Sequence, residues 1–175
     1  PKRLITNPLK DQSLLRLSRK AGKQPGVIDY LGEHIYETEI KHLQFNSHQI
    51  QESETLDPAA LHDACTPDFV HWIDVYGLSS SQTIKDLCDR FEIHSLIQED
   101  IADIEQLAKS ELFNNHLFIT LKMLSLSPKN EIEKEHVSLI LGDHYVISFQ
   151  EKPGDVFNPL RLRIKDKIGK IRFRG

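Results

Sequence analysis

The chain has little of what would mark a secreted, membrane-spanning or catalytic protein. Cysteine occurs only twice in 175 residues, at Cys65 and Cys88, with no CxxC pair. That is too few for a disulfide framework, so a reducing compartment is expected. Long apolar runs are missing as well. The densest, Val137 to Leu141, is interrupted by Ser138 and falls far short of the roughly 20 residues that cross a bilayer. The N-terminus is basic, but no apolar stretch of a signal peptide follows it. There is no GxSxG, no HExxH and no glycine-rich phosphate loop, and neither cysteine sits in a nucleophile motif. A soluble, intracellular chain without enzymatic activity is the expectation. Its length suits one domain, able to bury about 70% of its unfolded surface without disulfide or structural metal.

What is there begins with charge. The net charge of −4 hides an uneven distribution. Residues 1–24 hold seven Lys/Arg against Asp11 alone, and residues 160–175 hold seven against Asp166 alone. The body between carries eight bases and twenty-four acids. Two solvated basic ends on an acidic domain account for this, as does a segment lying near an anionic membrane surface. Nucleic acid is not indicated, because the body lacks a basic face and the ends lack interleaved aromatics. An acidic body suits cations.

The periodicity predicts a mixed architecture. After a basic lead-in over 1–24, Pro25-Gly26 marks a turn, a strand covers 27–31, and a second strand runs from about His34 to Phe45. Asp57-Pro58 starts a short helix that stops before Pro67. The β-forming run from Phe69 to Tyr76 ends at Gly77, and Ser79 to Ser81 cap a helix with Ile84, Leu87, Cys88 and Phe91 on one stripe. Another helix spans about Ser95 to Ala108. A strand over His116 to Ser127 and a hairpin turning at Gly142-Asp143 follow. Asp155 caps a last basic, amphipathic helix from Phe157 that nothing terminates. The expected fold is a three-layer α/β/α sandwich with a mixed, partly antiparallel sheet over 25–156, then the start of a long C-terminal helix over 157–175.

Glu99, Asp100 and Asp103 are the most informative cluster. At 100° per residue, Ile97, Ile101, Ile104 and Ala108 form a buried stripe, and the three carboxylates share the opposite side. No base stands between Arg90 and Lys109 to screen them. Oxygen ligands suit Mg2+ or Ca2+ rather than zinc, and simple solvation of the face is the alternative. The nine histidines form no evident zinc set: His62 and Cys65 are three apart, but no second close pair completes four ligands. His94, just before the acidic helix, is placed to cap it or touch the sheet.

Five segments then stand in a telling order. They are Pro25-Gly26-Val27 with Tyr30-Leu31-Gly32, Trp72-Ile73-Asp74-Val75-Tyr76-Gly77-Leu78, Phe91-Glu92-Ile93-His94-Ser95-Leu96-Ile97-Gln98-Glu99-Asp100-Ile101, the hairpin Glu135 to Glu151, and Asp155-Val156-Phe157-Asn158-Pro159-Leu160 onward. Over about residues 25–175 they resemble the N-terminal cytoplasmic domain of the CorA-type magnesium/cobalt transporters. Ser95 stands where that family usually has proline, and Leu107-Ala108-Lys109 where it has Arg-Pro-Lys.

The resemblance implies a cytoplasmic domain whose stalk helix begins at 157, with two membrane helices and a Gly-Met-Asn signature beyond Gly175. It implies a homopentamer on the cytoplasmic side of the inner membrane, partnered with its own transmembrane region. It also implies a regulatory Mg2+ held between subunits by Glu99 and Asp100, with Asp103 as an additional candidate. That ion would favour the closed state and bind weakly to the isolated domain. Co2+ and Ni2+ are further candidate cargo. A domain of a ZntB-like zinc transporter and a soluble interaction domain without a metal role are the alternatives.

Overall fold

The computed structural model describes residues 28, 30, 32, 36–54, 57–153 and 156–174. The basic lead-in, most of the strand expected over 27–31 and the Asp155 cap lie outside the described residues. Seven strands form one sheet: β1 (Glu39–Phe45), β2 (Ile50–Glu54), β3 (Val70–Tyr76), β4 (Lys109–Phe113), β5 (His116–Leu126), β6 (Ile132–Leu141) and β7 (Tyr145–Gln150). Their order is β2-β1-β3-β7-β6-β5-β4. Only the central β3–β7 pair is parallel, and every other neighbour is antiparallel. The mixed sheet of the sequence reading is therefore present.

Alternation along β3 divides the sheet into two faces. Ile73 and Val75 point to one side and meet Ile147 and Phe149 of β7, Ile140 of β6, Phe118 of β5 and Ile40 of β1. Three helices cover this side: α1 (Pro58–Ala64), α2 (Ser81–Arg90) and α3 (Ser95–Ala102). They contribute Leu61, then Ile84, Leu87 and Cys88, then Ile97 and Ile101. Tyr30, from the expected first strand, is buried against the same core. On the opposite side Trp72, Leu43 and Phe45 pack with Ile164, Phe157, Leu160 and Ile171. These come from the C-terminal segment, where α4 (Asn158–Lys165) and α5 (Ile171–Arg174) lie. Helices thus cover both faces.

The helix starts follow the sequence. Asp57 Oδ1 accepts the Ala59 N–H at 3.0 Å with Pro58 in the first turn, and Ser80 Oγ accepts the Thr83 N–H at 3.3 Å. The end of α1 before Pro67 follows the sequence too, but those of α3 and α4 do not. Instead of one helix continuing over 157–175, α4 closes at Lys165. Ile168 N–H donates to the Arg163 carbonyl at 2.9 Å and Lys167 N–H to that of Ile164 at 3.4 Å, with Lys167 left-handed at φ 56°. This double closure satisfies the last carbonyls, and Gly169 at φ 80° turns the chain before α5. The expected start of a long stalk helix is not seen. Glu92, at φ 53°, ends α2 in the same way, with Ile93 N–H on the Cys88 carbonyl at 2.9 Å.

Candidate metal centre

The acidic helix is shorter than its periodicity suggests. α3 ends at Ala102, where Asp103 becomes the cap with an extended ψ of 91° and its Oδ1 accepts the Glu105 N–H at 3.1 Å. A short aspartate that bonds its own backbone competes with helix continuation, and the chain must turn there to reach β4 at the sheet edge. Ile97 and Ile101 are buried as expected, Ile104 is half-buried in the following turn, and Ala108 is exposed. The four-residue buried stripe thus shrinks to its first half.

At the start of α3 His94 fulfils both expected roles. Its Nδ1 accepts the Leu96 N–H at 3.2 Å, and its ring stacks on Phe113 of β4 at 5.5 Å. Gln98 anchors the buried side, donating to the Ile93 carbonyl and to Asp89, both at 2.9 Å.

Glu99 and Asp100 stay adjacent on the helix, and both are half-buried. Asp103 leaves their face to close the helix end. Asp100 is not turned simply to water. Lys109, the first residue of β4, places its Nζ 2.7 Å from Asp100 Oδ2 and 3.1 Å from Glu111 Oε2. Gln106 also donates to Asp100. The sequence reading found no base to screen the carboxylates within the helix. The fold supplies one from the neighbouring strand, and its carboxylate neighbours raise the Lys109 pKa against the opposing effect of burial.

A second cation stands behind the helix end. Lys122 of β5 donates to the Ile104 carbonyl and reaches His136 Nδ1 at 3.0 Å. An ammonium only donates, so Nδ1 accepts, and His136 Nε2–H is left to donate to Ser138 Oγ at 3.2 Å. Burial, reinforced by the Lys122 charge, pushes the His136 pKa down to about 4. Burial likewise lowers that of Lys122. Lys109, Gln106, Lys122 and His136 were invisible to sequence reasoning because each comes from a different strand or turn.

His62, weighed in the sequence beside Cys65, joins no group of three or more possible metal ligands among the described residues. His62 lies edge-on to Phe91 at 5.2 Å and 3.4 Å from Asp63, while Cys88 is sealed in the main core. Among the described residues, no helix is long and apolar enough to cross a membrane.

The profile of the family described as CorA-like Mg2+ transporter protein matches residues 68–173. That range takes in β3 through α5, including the acidic helix and the closing hairpin. The chain belongs to the CorA-like Mg2+ transporter family. It is a family of transporters rather than enzymes, which agrees with the absence of catalytic signatures. The cobalt/magnesium transport protein CorA of Thermotoga maritima is 38% identical over 161 residues, covering 90% of this chain and 45% of that protein. This CorA-like chain therefore spans less than half the length of the curated relative it matches. Its fold is similar to the soluble domain of CorA from Methanocaldococcus jannaschii, with a TM-score of 0.53 and 18% identity over 77% of this chain and 50% of that one. It is also similar to the ZntB cytoplasmic domain from Vibrio parahaemolyticus, with a TM-score of 0.56 and 13% identity over 77% and 52%.

Proposed function

We propose that this chain is the cytoplasmic, metal-sensing regulatory domain of a CorA-like divalent cation transporter. In this reading Mg2+, bound between subunits at Glu99 and Asp100, favours the closed state of a pentamer. The observation that carries the reading is the pair of adjacent, half-buried carboxylates on α3 in a chain of this family. Mg2+ keeps most of its water and needs only one or two carboxylates, which suits a weak, reversible sensor. An ion held between subunits in one state stabilises that state by its differential affinity. Lys109 fits this role because it occupies Asp100 within the subunit. An ion arriving from a neighbour must compete with that ammonium, so affinity in the isolated domain stays low.

Mg2+ is the favoured cargo over Zn2+, with Co2+ as second choice. The 38% identity is to a cobalt/magnesium transport protein, whereas the likeness to the zinc-transporter domain lies in the fold alone. The test uses the full-length protein, with Mg2+ protection against limited proteolysis as the readout. Glu99→Ala with Asp100→Ala is expected to raise the Mg2+ concentration for half-protection at least about tenfold, the effect of losing about 1.4 kcal/mol of binding, with the thermal melt unchanged. Protection at the wild-type concentration would overturn the site and restore the reading of a solvated acidic face.

A further inference from the structure

A second set of metal-ligating side chains lies on the opposite half of the sheet from the β4 edge. His42 of β1, His71 of β3 and Cys65, the residue that caps α1, bring one ligand atom each to within 4.8 Å of the others. The two strands are neighbours. His42 stands opposite Ile73 in the register, so His71 is its diagonal neighbour on the same face. Cys65 reaches them because α1 crosses that face and stops one residue earlier. The geometry points to a transition-metal site, formed by His42, His71 and Cys65, that binds Zn2+.

The details of the pair let an ion take the place of the hydrogen bond between the two rings. His42 Nε2 and His71 Nδ1 face each other at 3.0 Å, with the rings stacked at 5.2 Å and both residues buried. Ligation requires a lone pair on both nitrogens. Offering its own costs His71 the bond with His42 but leaves its other ring nitrogen anchored. Its Nε2 lies 3.0 Å from the Thr66 N–H and 3.1 Å from the Thr66 carbonyl, so the loop satisfies either tautomer. With Nε2–H on the carbonyl, Nδ1 is free for a metal. This is the outer hydrogen bond that orients most metal-bound histidines.

Tetrahedral zinc with bonds near 2.0–2.1 Å to nitrogen sets two nitrogens roughly 3.3 Å apart. The observed pair needs only a few tenths of an ångström, and the Cys65 sulfur, within 4.8 Å of the other two ligand atoms, has about an ångström to close for a Zn–S bond near 2.3 Å. Burial keeps both imidazoles neutral, pushing His42 down to about 4 and lowering His71. The thiol, pushed up to about 11, gives its proton to solvent when zinc replaces it, so one proton leaves per ion. Three protein ligands leave the fourth position to water. Two imidazoles and a thiolate select a borderline or soft ion, so this site is chemically separate from the carboxylates of α3. The inference does not depend on the sensor reading.

Co2+ is the probe. One equivalent added to the 175-residue chain should give the visible bands of four-coordinate cobalt and a near-ultraviolet thiolate-to-cobalt charge-transfer band, both erased by Zn2+. Cys65→Ser should abolish the charge-transfer band. His42→Gln should weaken Zn2+ binding at least about 100-fold, the upper end of what losing an outer-shell partner alone costs. Alkylation of Cys65 gives a readout that needs no variant: Zn2+ should slow it and Mg2+ should not. Absence of the charge-transfer band, its survival in Cys65→Ser, or alkylation indifferent to Zn2+ would overturn the assignment.

Discussion

Arg161 should be the most costly charged residue to remove. It rises from α4 on the second face of the sheet and ion-pairs with Asp74 of β3, whose side chain is 2% exposed. The carboxylate is enclosed by donors: Tyr76 hydroxyl at 2.5 Å on Oδ2, Ser148 hydroxyl at 2.6 Å and Gln150 Nε2 at 3.0 Å on Oδ1. Arg161 also donates to the Tyr76 oxygen at 2.8 Å, and its guanidinium lies 4.8 Å from the centre of the Trp72 ring. The Trp72 N–H completes the network on Ser148 at 2.8 Å. Arg161→Met keeps much of the aliphatic stem against Trp72 but strands the buried carboxylate. Breaking a buried pair from one side costs about 3–5 kcal/mol. For a chain of this length that corresponds to a fall in Tm of about 10 °C. Adding Asp74→Asn should recover about 1–2 kcal/mol, because the uncharged amide oxygen still accepts from Ser148 and Gln150 while its NH2 donates to the Tyr76 oxygen. Urea denaturation of wild type, both single variants and the double variant measures the coupling. A loss below about 1 kcal/mol in Arg161→Met, or strict additivity in the cycle, would refute this account of the pair.

Gly77→Ala should cost about 2–4 kcal/mol in urea denaturation, because the residue sits at φ 69° and a Cβ would meet the Glu37 carbonyl oxygen at 2.3 Å. A change within about 0.5 kcal/mol would contradict that backbone geometry. Stability should also drain away as pH falls from about 6.5 toward 4. His136 is held down to about 4 in the fold, so the unfolded chain takes up its proton first and is favoured across that window. Denaturation at successive pH values in metal-free buffer should show the slope, and His136→Asn should make it shallower, with His42, also held down to about 4, supplying part of the remainder. An unchanged slope in that variant would assign the loss to other groups.

Strands at the centre of the sheet were legible because they are buried on both faces. β3, β6 and β7 read as dense apolar runs with turn residues between them, and the hairpin at Gly142-Asp143 formed where expected. The caps at Asp57 and Ser80 were equally plain, since a cap is a contact between near neighbours. Both edge strands escaped. β2 is Ile-Gln-Glu-Ser-Glu with four exposed residues, and β4 offers only Leu112 and Phe113 as apolar signals. An edge strand is held by one neighbour's backbone and needs little hydrophobic pattern of its own. The stop of α4 escaped for a different reason: it rests on a left-handed Lys167, a conformation that glycine usually announces and lysine does not.

The sites divide along the same line. Glu99 and Asp100 are visible because they are adjacent on one helix. Their partner Lys109 is nine residues from Asp100, beyond a turn, and no helical wheel carries that far. Asp74 and Arg161 are 87 residues apart, and His42 and His71 are 29 apart. Yet the histidine pair needs little more than strand adjacency. Once β1 lies beside β3 with His42 opposite Ile73, alternation alone puts both imidazoles on the helical face. The length of α1 then delivers Cys65 to them. Sequence periodicity specifies which way each side chain points, and the order of strands decides whom it meets. A search for metal sites by ligand spacing sees only ligands that share an element. Pairing and register are the missing terms, and they are set by the packed core rather than by the ligands.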